Sequence, residues 1–150
     1  MANIDSATLN KNAHMQAFGN ALVADGSVAL AAAPAATDVI RIARINAGTR
    51  VVMVVTGNGD LDSNGVPTLA VSLGYAPVDA ADGPAASAAY FGAAGDISLQ
   101  SPNAGKLYAA FAPITFEKDV YLTMTVGVAA ATFAAGSIFA TAIGETRGIK

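Results

Sequence analysis

The sequence predicts an all-β fold: a two-sheet antiparallel sandwich of jelly-roll type with about eight strands and an extended N-terminal arm. Short apolar segments with the two-residue period of strands recur along the chain, most clearly over residues 68–75 and 120–126. Turn signals, such as Asn-Gly at 58–59 and Asp-Gly-Pro at 82–84, separate these segments. Because no segment combines a sustained helical period with capping residues, a sandwich is favoured over a helical fold.

Length and composition indicate one packed domain. The chain has 150 residues, of which 53% are hydrophobic and 13% are charged, and this balance excludes a disordered chain. The absence of Cys excludes disulfides, Cys-ligated metals and thiol catalysis. The 8 basic residues are scattered and the net charge is −3, so a nucleic-acid partner is not expected.

Residues 1–20 are polar and irregular, and they are interpreted as an extended arm in front of a single sandwich domain over residues 21–150. An arm of this kind can add a strand to the sheet edge of a neighbouring subunit. The large apolar side chains in the arm are therefore predicted interface residues: Ile4, Leu9, Met15 and Phe18.

The first strands of the domain are predicted over residues 27–32, 39–45 and 50–56. The second is rich in β-branched residues, and the third is a nearly continuous apolar run, which is typical of burial on both faces. Gly48, between these two strands, indicates a hairpin or a corner.

Residues 68–75 (TLAVSLGY) place a large apolar side chain at every second position, so we expect one buried face and one outward face. Residues 120–126 repeat this pattern, and residues 137–143 close the series. A short helix over residues 85–90 is an alternative within the Ala-rich segment. Weaker strands are predicted over residues 88–91, 107–111 and 114–116.

Residues 120–144 carry no charge and are long enough to span a bilayer as a helix. Thr, Ser and Gly are spread through this segment and its apolar residues alternate, so strands are favoured and no membrane partner is expected. The first residues lack the basic and apolar regions of a secretory signal.

The best candidate for a cation site is the segment 60–65, whose sequence D-x-D-x-N-G matches the opening of a calcium loop. The position that needs a bidentate Glu is occupied by Val71, within a predicted strand. A polar turn is therefore the favoured interpretation, with a bound cation as the open alternative, and no cofactor is predicted.

Catalytic chemistry has little support, so we predict that the protein is not an enzyme. His14 is the single His and lies in the arm, which is a poor platform for a rigid active site. The carboxylates lie mostly in turns, where Asp and Asn are favoured for local hydrogen bonds, and this argues against a glycosidase pair.

Arg41, Arg44 and Arg50 cluster around the turn at residues 46–49. They either decorate strand faces or contact an acidic partner, and we include them among the predicted interface residues. A surface with so few charges is poorly protected against association, so we expect the chain to be a subunit of an assembly.

Several stretches together carry a resemblance to a known family. They are residues 60–65 and 68–75, the Ala-rich residues 79–91, residues 118–127 (KDVYLTMTVG), the small-residue turn 128–136 and residues 137–143. The pattern resembles the cement, or decoration, proteins of tailed-phage capsids, in particular the jelly-roll type of short-tailed phages. It covers roughly residues 27–145 and leaves the arm unaligned.

The resemblance implies a non-enzymatic virion protein, made in the host cytoplasm, that binds the capsid exterior. Its implied partners are the major capsid protein, whose adjacent subunits it cements, and itself, as a homodimer or homotrimer. Two alternatives stay open: another virion or surface structural subunit, such as a tail or fibre protein, and a sugar- or ligand-binding β-sandwich module.

Overall fold

The computed structural model describes residues 1–6 and 21–147, and its strands form two sheets. The predicted all-β sandwich is confirmed, with ten strands in place of about eight. In chain order they are β1 (Asn3–Asp5), β2 (Ala21–Leu30), β3 (Val39–Ile45), β4 (Thr49–Asn58), β5 (Ala70–Pro77), β6 (Ser87–Asp96), β7 (Asn103–Tyr108), β8 (Ile114–Phe116), β9 (Val120–Val128) and β10 (Gly136–Thr146).

The two sheets have the strand orders β1-β3-β9-β5-β6, here called sheet A, and β2-β10-β4-β7, here called sheet B. Strand β8 pairs with β4 beyond the end of β7. Strand β1 runs parallel to β3, whereas the pairings among the other described strands are antiparallel. The antiparallel arrangement predicted for the sandwich domain is therefore confirmed among the strands after residue 20, and the one parallel strand, β1, belongs to the predicted arm.

Local sequence patterns predict the middle of the strands better than their ends. Strands β3 and β8 begin and end where the sequence predicts, whereas β2 begins at Ala21 and β10 continues to Thr146. Within residues 85–90, the alternative helix, residues 87–90 instead form the start of β6. Part of the predicted arm, Asn3–Asp5, is a strand on the protein's own sheet A.

The turn before β4 is a corner rather than a hairpin, because β3 lies in sheet A and β4 in sheet B. Gly48 adopts a φ of 80°, which favours glycine. Its N–H donates to the Phe116 carbonyl at 2.7 Å, and its carbonyl accepts from the Arg147 N–H at 2.7 Å. These bonds anchor the corner to β8 and to the segment after β10.

The hydrophobic core lies between the inner faces of the two sheets. In β4 the buried residues Val51 and Val54 point inward, while Val52, Met53 and Val55 are only half-buried. The expectation that residues 50–56 are buried on both faces is therefore wrong. The largest fully buried side chains come from both sheets and their connections: Phe116, Ile40, Ile42, Ile45, Leu61, Leu69, Leu73, Leu99, Leu122, Met124, Ile138 and Val51.

Strand β5, by contrast, is buried on both faces over most of its length. The expected outward residue Ser72 is buried, and a Cβ built at Gly74 would lie 1.9 Å from the Ser87 carbonyl oxygen. The register between β5 and β6 shifts on both sides of Leu73, so β6 contains extra residues that cover the outer side of β5. The alternation within residues 68–75 is present, but it does not mark a solvent-facing side.

Thr56 is a buried polar residue in β4, and its hydroxyl has no hydrogen-bond partner among the described residues. Thr56→Val keeps the shape and removes the hydroxyl, so we expect a gain of about 1 kcal/mol in the free energy of unfolding. The melting temperature would then rise by roughly 2–4 °C in a thermal scan.

The matched control is Thr68→Val, because the Thr68 hydroxyl donates to the Ala129 carbonyl at 2.8 Å. Loss of that bond should leave the control no more stable than the unmodified protein. Equal shifts for the two variants would contradict the assignment of Thr56 as an unsatisfied group.

Candidate functional site: an apolar sheet face

The outer surface of sheet B has a mainly apolar centre, with Thr141 as a polar residue within it, and all four strands of the sheet's main path contribute to it. Along β10 and β4 the residues Ala142 and Val54 are buried, so the positions on either side of them point away from the core. The strand registers bring these outward positions together in neighbouring rows. We name the six large residues there the apolar face: Val23, Met53, Val55, Leu107, Phe139 and Ile143.

Several side chains of the apolar face are open to solvent. Leu107 is 59% exposed, Val23 54% and Phe139 40%. The Phe139 ring lies over Gly57, where a built Cβ would come within 2.2 Å of the ring, so the absence of a side chain at Gly57 lets the ring lie against the sheet. The outer face of an antiparallel sheet is usually polar, and contiguous exposed apolar side chains mark interaction surfaces.

Charged residues lie at two margins of the apolar face rather than at its centre. Asp25 lies on β2 opposite Thr141, at one margin. At another margin Glu145 accepts from Arg50 at 3.1 Å and from Arg147 at 2.6 Å. Arg147 and Arg50 lower the pKa of Glu145 through these bonds. An apolar centre with a polar rim is the usual arrangement of a protein–protein interface.

The structure places the three predicted interface arginines apart from one another. Arg41 makes two bonds to Asp5, at 2.5 and 2.6 Å, and its guanidinium lies 4.9 Å from the Tyr121 ring centroid. Arg44 is paired with Asp119 at the corner before β4. Only Arg50 borders the apolar face. Each arginine thus pairs with a carboxylate of its own chain, and their contact with a partner stays a prediction.

The predicted anchors of the arm have different outcomes. Ile4 is half-buried and packs against the core. His14 also belongs to the arm segment. His14 lies outside the described residues. The same holds for three of the predicted interface residues, Leu9, Met15 and Phe18.

Sequence reasoning missed the apolar face itself. The one local signal was the presence of apolar residues on both faces of residues 50–56 and 137–143. For residues 50–56 that excess predicts burial on both faces of the strand, and for residues 137–143 the sequence predicts a strand only.

Asp62 ties together two loops at one end of the sandwich, and its side chain is buried. Its Oδ2 accepts backbone N–H bonds from Thr68 at 2.7 Å, Leu69 at 3.0 Å and Ala131 at 3.0 Å. Its Oδ1 accepts from the Thr132 N–H at 2.9 Å. Burial alone would raise the pKa of this carboxyl, but the four N–H donors hold the pKa far below its ordinary value.

The rest of the segment 60–65 uses its oxygen atoms in the same way. Asp60 Oδ1 accepts from the Asp62 N–H at 3.1 Å, and Asn64 Oδ1 accepts from the Val66 N–H at 2.9 Å. These side chains cap backbone donors of the protein, as in a polar turn. Within residues 1–6 and 21–147 no group of three or more His, Cys, Asp or Glu residues is placed to hold a metal ion.

Asp96 forms a second polar cluster where the edges of the two sheets meet. It pairs with Lys106 of β7 and accepts from the Tyr108 hydroxyl at 3.1 Å and the Ser98 N–H at 2.8 Å. Burial alone would raise the pKa of Asp96, but Lys106 and Ser98 lower it overall. The cluster joins β6 of sheet A to β7 of sheet B.

The uncharged segment 120–144 forms β9, a connecting loop and most of β10. In the part of the chain that the structure describes, no helix is long and apolar enough to cross a membrane.

Comparison with known proteins identifies the fold. No family model and no curated protein matches the sequence. A solved structure titled "Capsid of Ralstonia phage GP4" contains a chain with a TM-score of 0.77 and 21% identity, and the match covers 99% of this chain and 100% of that one. A second, titled "Cyanophage Pam1 capsid asymmetric unit", has a TM-score of 0.65 and 26% identity, over 93% and 95% of the two chains.

The first match establishes a shared fold over essentially the whole chain. The second combines that fold with higher identity, so it also supports a structural role. The chain therefore shares the jelly-roll sandwich fold of chains in two phage capsid structures, and this likeness supports a place among the structural proteins of a virion.

Proposed function

We propose that this protein is a cement protein that binds the exterior of a phage capsid and joins adjacent major capsid subunits, without catalysing a reaction. It is made in the host cytoplasm and acts as a homodimer or homotrimer. The observation that carries the proposal is the exposed apolar face on sheet B, in a fold shared with chains of two phage capsid structures.

The apolar face is suited to cementing because the removal of exposed apolar area from water is the main favourable contribution to most protein–protein association. The rim residues Arg50, Arg147 and Asp25 provide charges that orient the contact while the centre excludes water. On a capsid, the same contact is repeated at many symmetry-related positions, so modest affinity at each site still reinforces the shell.

The direct test adds the purified protein to capsids that lack it. We expect the protein to co-sediment with these capsids and to raise the temperature at which they come apart. If it neither binds nor stabilises capsids, the proposal is wrong. Labelled protein that binds tails instead would support the alternative of a tail or fibre subunit.

The apolar face makes a specific prediction for this assay. Leu107→Lys places a charge on an exposed position of the face, and we expect capsid binding to weaken at least ~10-fold while the domain stays folded. Val23→Lys, on the opposite edge strand of sheet B, should act in the same direction.

Val66→Lys is the matched control, because Val66 is 77% exposed in a loop outside the apolar face and the change in charge is the same. Circular dichroism should show the same fold for all variants. If Leu107→Lys and Val23→Lys bind like Val66→Lys, another surface makes the contact.

A further inference from the structure

We propose that residues 1–6 are exchanged between copies of this chain, so that β1 of one copy pairs with β3 of its neighbour. This inference deepens the self-association in the proposed function by naming the element that links two copies. It requires no capsid, so its failure can be distinguished from failure of the cementing role.

The backbone of residues 1–6 occupies a defined position on β3. The Val39 N–H donates to the Ala2 carbonyl at 2.9 Å, and the Ser6 N–H donates to the Arg41 carbonyl at 2.9 Å. The Ala2 N–H donates to Asp38 Oδ1 at 2.8 Å. Without β1, the edge of β3 would present unpaired backbone groups, and such an edge favours pairing with another strand.

Side chains make the position specific for this segment. Asp5 receives both bonds of the Arg41 guanidinium, and the Ser6 hydroxyl donates to the Ser27 carbonyl at 2.6 Å. Ile4 packs against the core. The groups named above that receive residues 1–6 belong to the part of the chain after residue 20, so the corresponding residues of another copy can make the same bonds.

The length of the connection permits exchange. Ser6 contacts Ser27, which lies six residues along β2 from Ala21, a distance of roughly 20 Å. The connecting residues 7–20 can span up to about 50 Å when extended. The connection is therefore more than twice as long as docking within one chain requires, and it can reach the same position on an adjacent copy.

The energetic difference between the two arrangements is small, because the same bonds form within one chain or between two. The choice then depends on the concentration of neighbouring copies, which is high on a regular assembly. A strand of only three residues, held at the edge of the sheet, is also released more readily than a central strand.

The absence of Cys in this chain permits a direct test with introduced thiols. Asn3 and Val39 are opposite each other in the β1–β3 register. We would mix purified Asn3→Cys and Val39→Cys proteins, oxidise them and analyse the products on a non-reducing gel. Exchange predicts a disulfide-linked heterodimer whose yield rises with protein concentration.

The matched control mixes Val39→Cys with Thr125→Cys, since Thr125 is opposite Val39 on β9, a central strand of sheet A. Neither Val39 nor Thr125 belongs to the exchanged segment, so a thiol on one chain should not reach its counterpart on another chain. We therefore expect at least ~10-fold less heterodimer than from the first mixture. Equal yields from the two mixtures would overturn the proposal.

The double variant Asn3→Cys/Val39→Cys completes the test. We expect it to give both an intrachain disulfide at low protein concentration and linked oligomers at high concentration. An intrachain disulfide alone at every concentration would show that β1 stays on its own chain. No disulfide of either kind would show that β1 does not pair with β3. Both results contradict exchange.

Discussion

Asp62→Asn is expected to lower the melting temperature by roughly 10 °C at neutral pH. The Asp62 carboxylate accepts four backbone N–H bonds from the loops at residues 68–69 and 131–132. An amide has one acceptor oxygen, and its NH₂ group would face a backbone donor in either orientation. At least one buried N–H therefore loses its partner. Thermal unfolding followed by circular dichroism measures the effect.

The same replacement should change the dependence of stability on pH. The pKa of Asp62 in the folded protein lies below its ordinary value of 3.8, so the unfolded chain binds more protons in acid. The contribution of the Asp62 carboxylate to the stability of the folded protein is complete above about pH 5, and it is lost progressively as the pH falls below about 4. The difference in stability between the unmodified protein and Asp62→Asn should therefore shrink in acid. Asp96 and Glu145, whose pKa values are also lowered, keep both proteins acid-sensitive.

Asp60→Asn is the control for this prediction. Asp60 is exposed and accepts one bond, from the Asp62 N–H, which an amide oxygen can also accept. We expect its melting temperature to stay within about 2 °C of the unmodified protein. If Asp62→Asn unfolds at the same temperature as Asp60→Asn and follows the same acid profile, the Asp62 carboxylate does not hold the two loops together.

Gly26→Ala is expected to cost about 3 kcal/mol of unfolding free energy and to lower the melting temperature by roughly 6–12 °C. Gly26 lies on β2 of sheet B, where that strand approaches β3 of sheet A. A built Cβ would lie 1.9 Å from the Ile42 carbonyl oxygen and 2.8 Å from its carbon. Both atoms belong to backbone, so relief of the clash requires movement of one sheet against the other. Urea and thermal unfolding measure the loss.

Gly127→Ala tests whether the loss comes from the close approach of the sheets. Gly127 also lies in a strand, β9, but its built Cβ would have only the Ala70 oxygen nearby, at 3.5 Å. We expect this variant to change the unfolding free energy by less than about 1 kcal/mol. Similar losses for the two glycine variants would mean that the approach of β2 to β3 does not control stability.

The predictable part of the fold is local. Residues 39–45 and 114–116 form strands with the predicted ends, because β-branched residues and nearby turn signals act over a few positions. Residues 85–90 were ambiguous between helix and strand, since Ala favours helices on its own. The pairing of β6 with β5 decided the outcome.

The candidate site was much less predictable. Arg41, Arg44 and Arg50 are close in sequence, yet the corner at Gly48 and the side of the strand on which each lies separate them in space. Val23 and Leu107 are far apart in sequence, yet β10 and β4 bring them onto one sheet surface. No local pattern connects the members of the apolar face.

The sequence by itself determined that the chain is a low-charge β-sandwich resembling capsid cement proteins, because strand period, turn residues and composition are encoded over short distances. Only the tertiary structure decided which outward residues stay exposed, which carboxylate connects the loops and where β1 docks. These features depend on pairing between strands that are distant in sequence. For example, Ser72 has the sequence pattern of an outward residue, but the bulged strand β6 covers that side of β5.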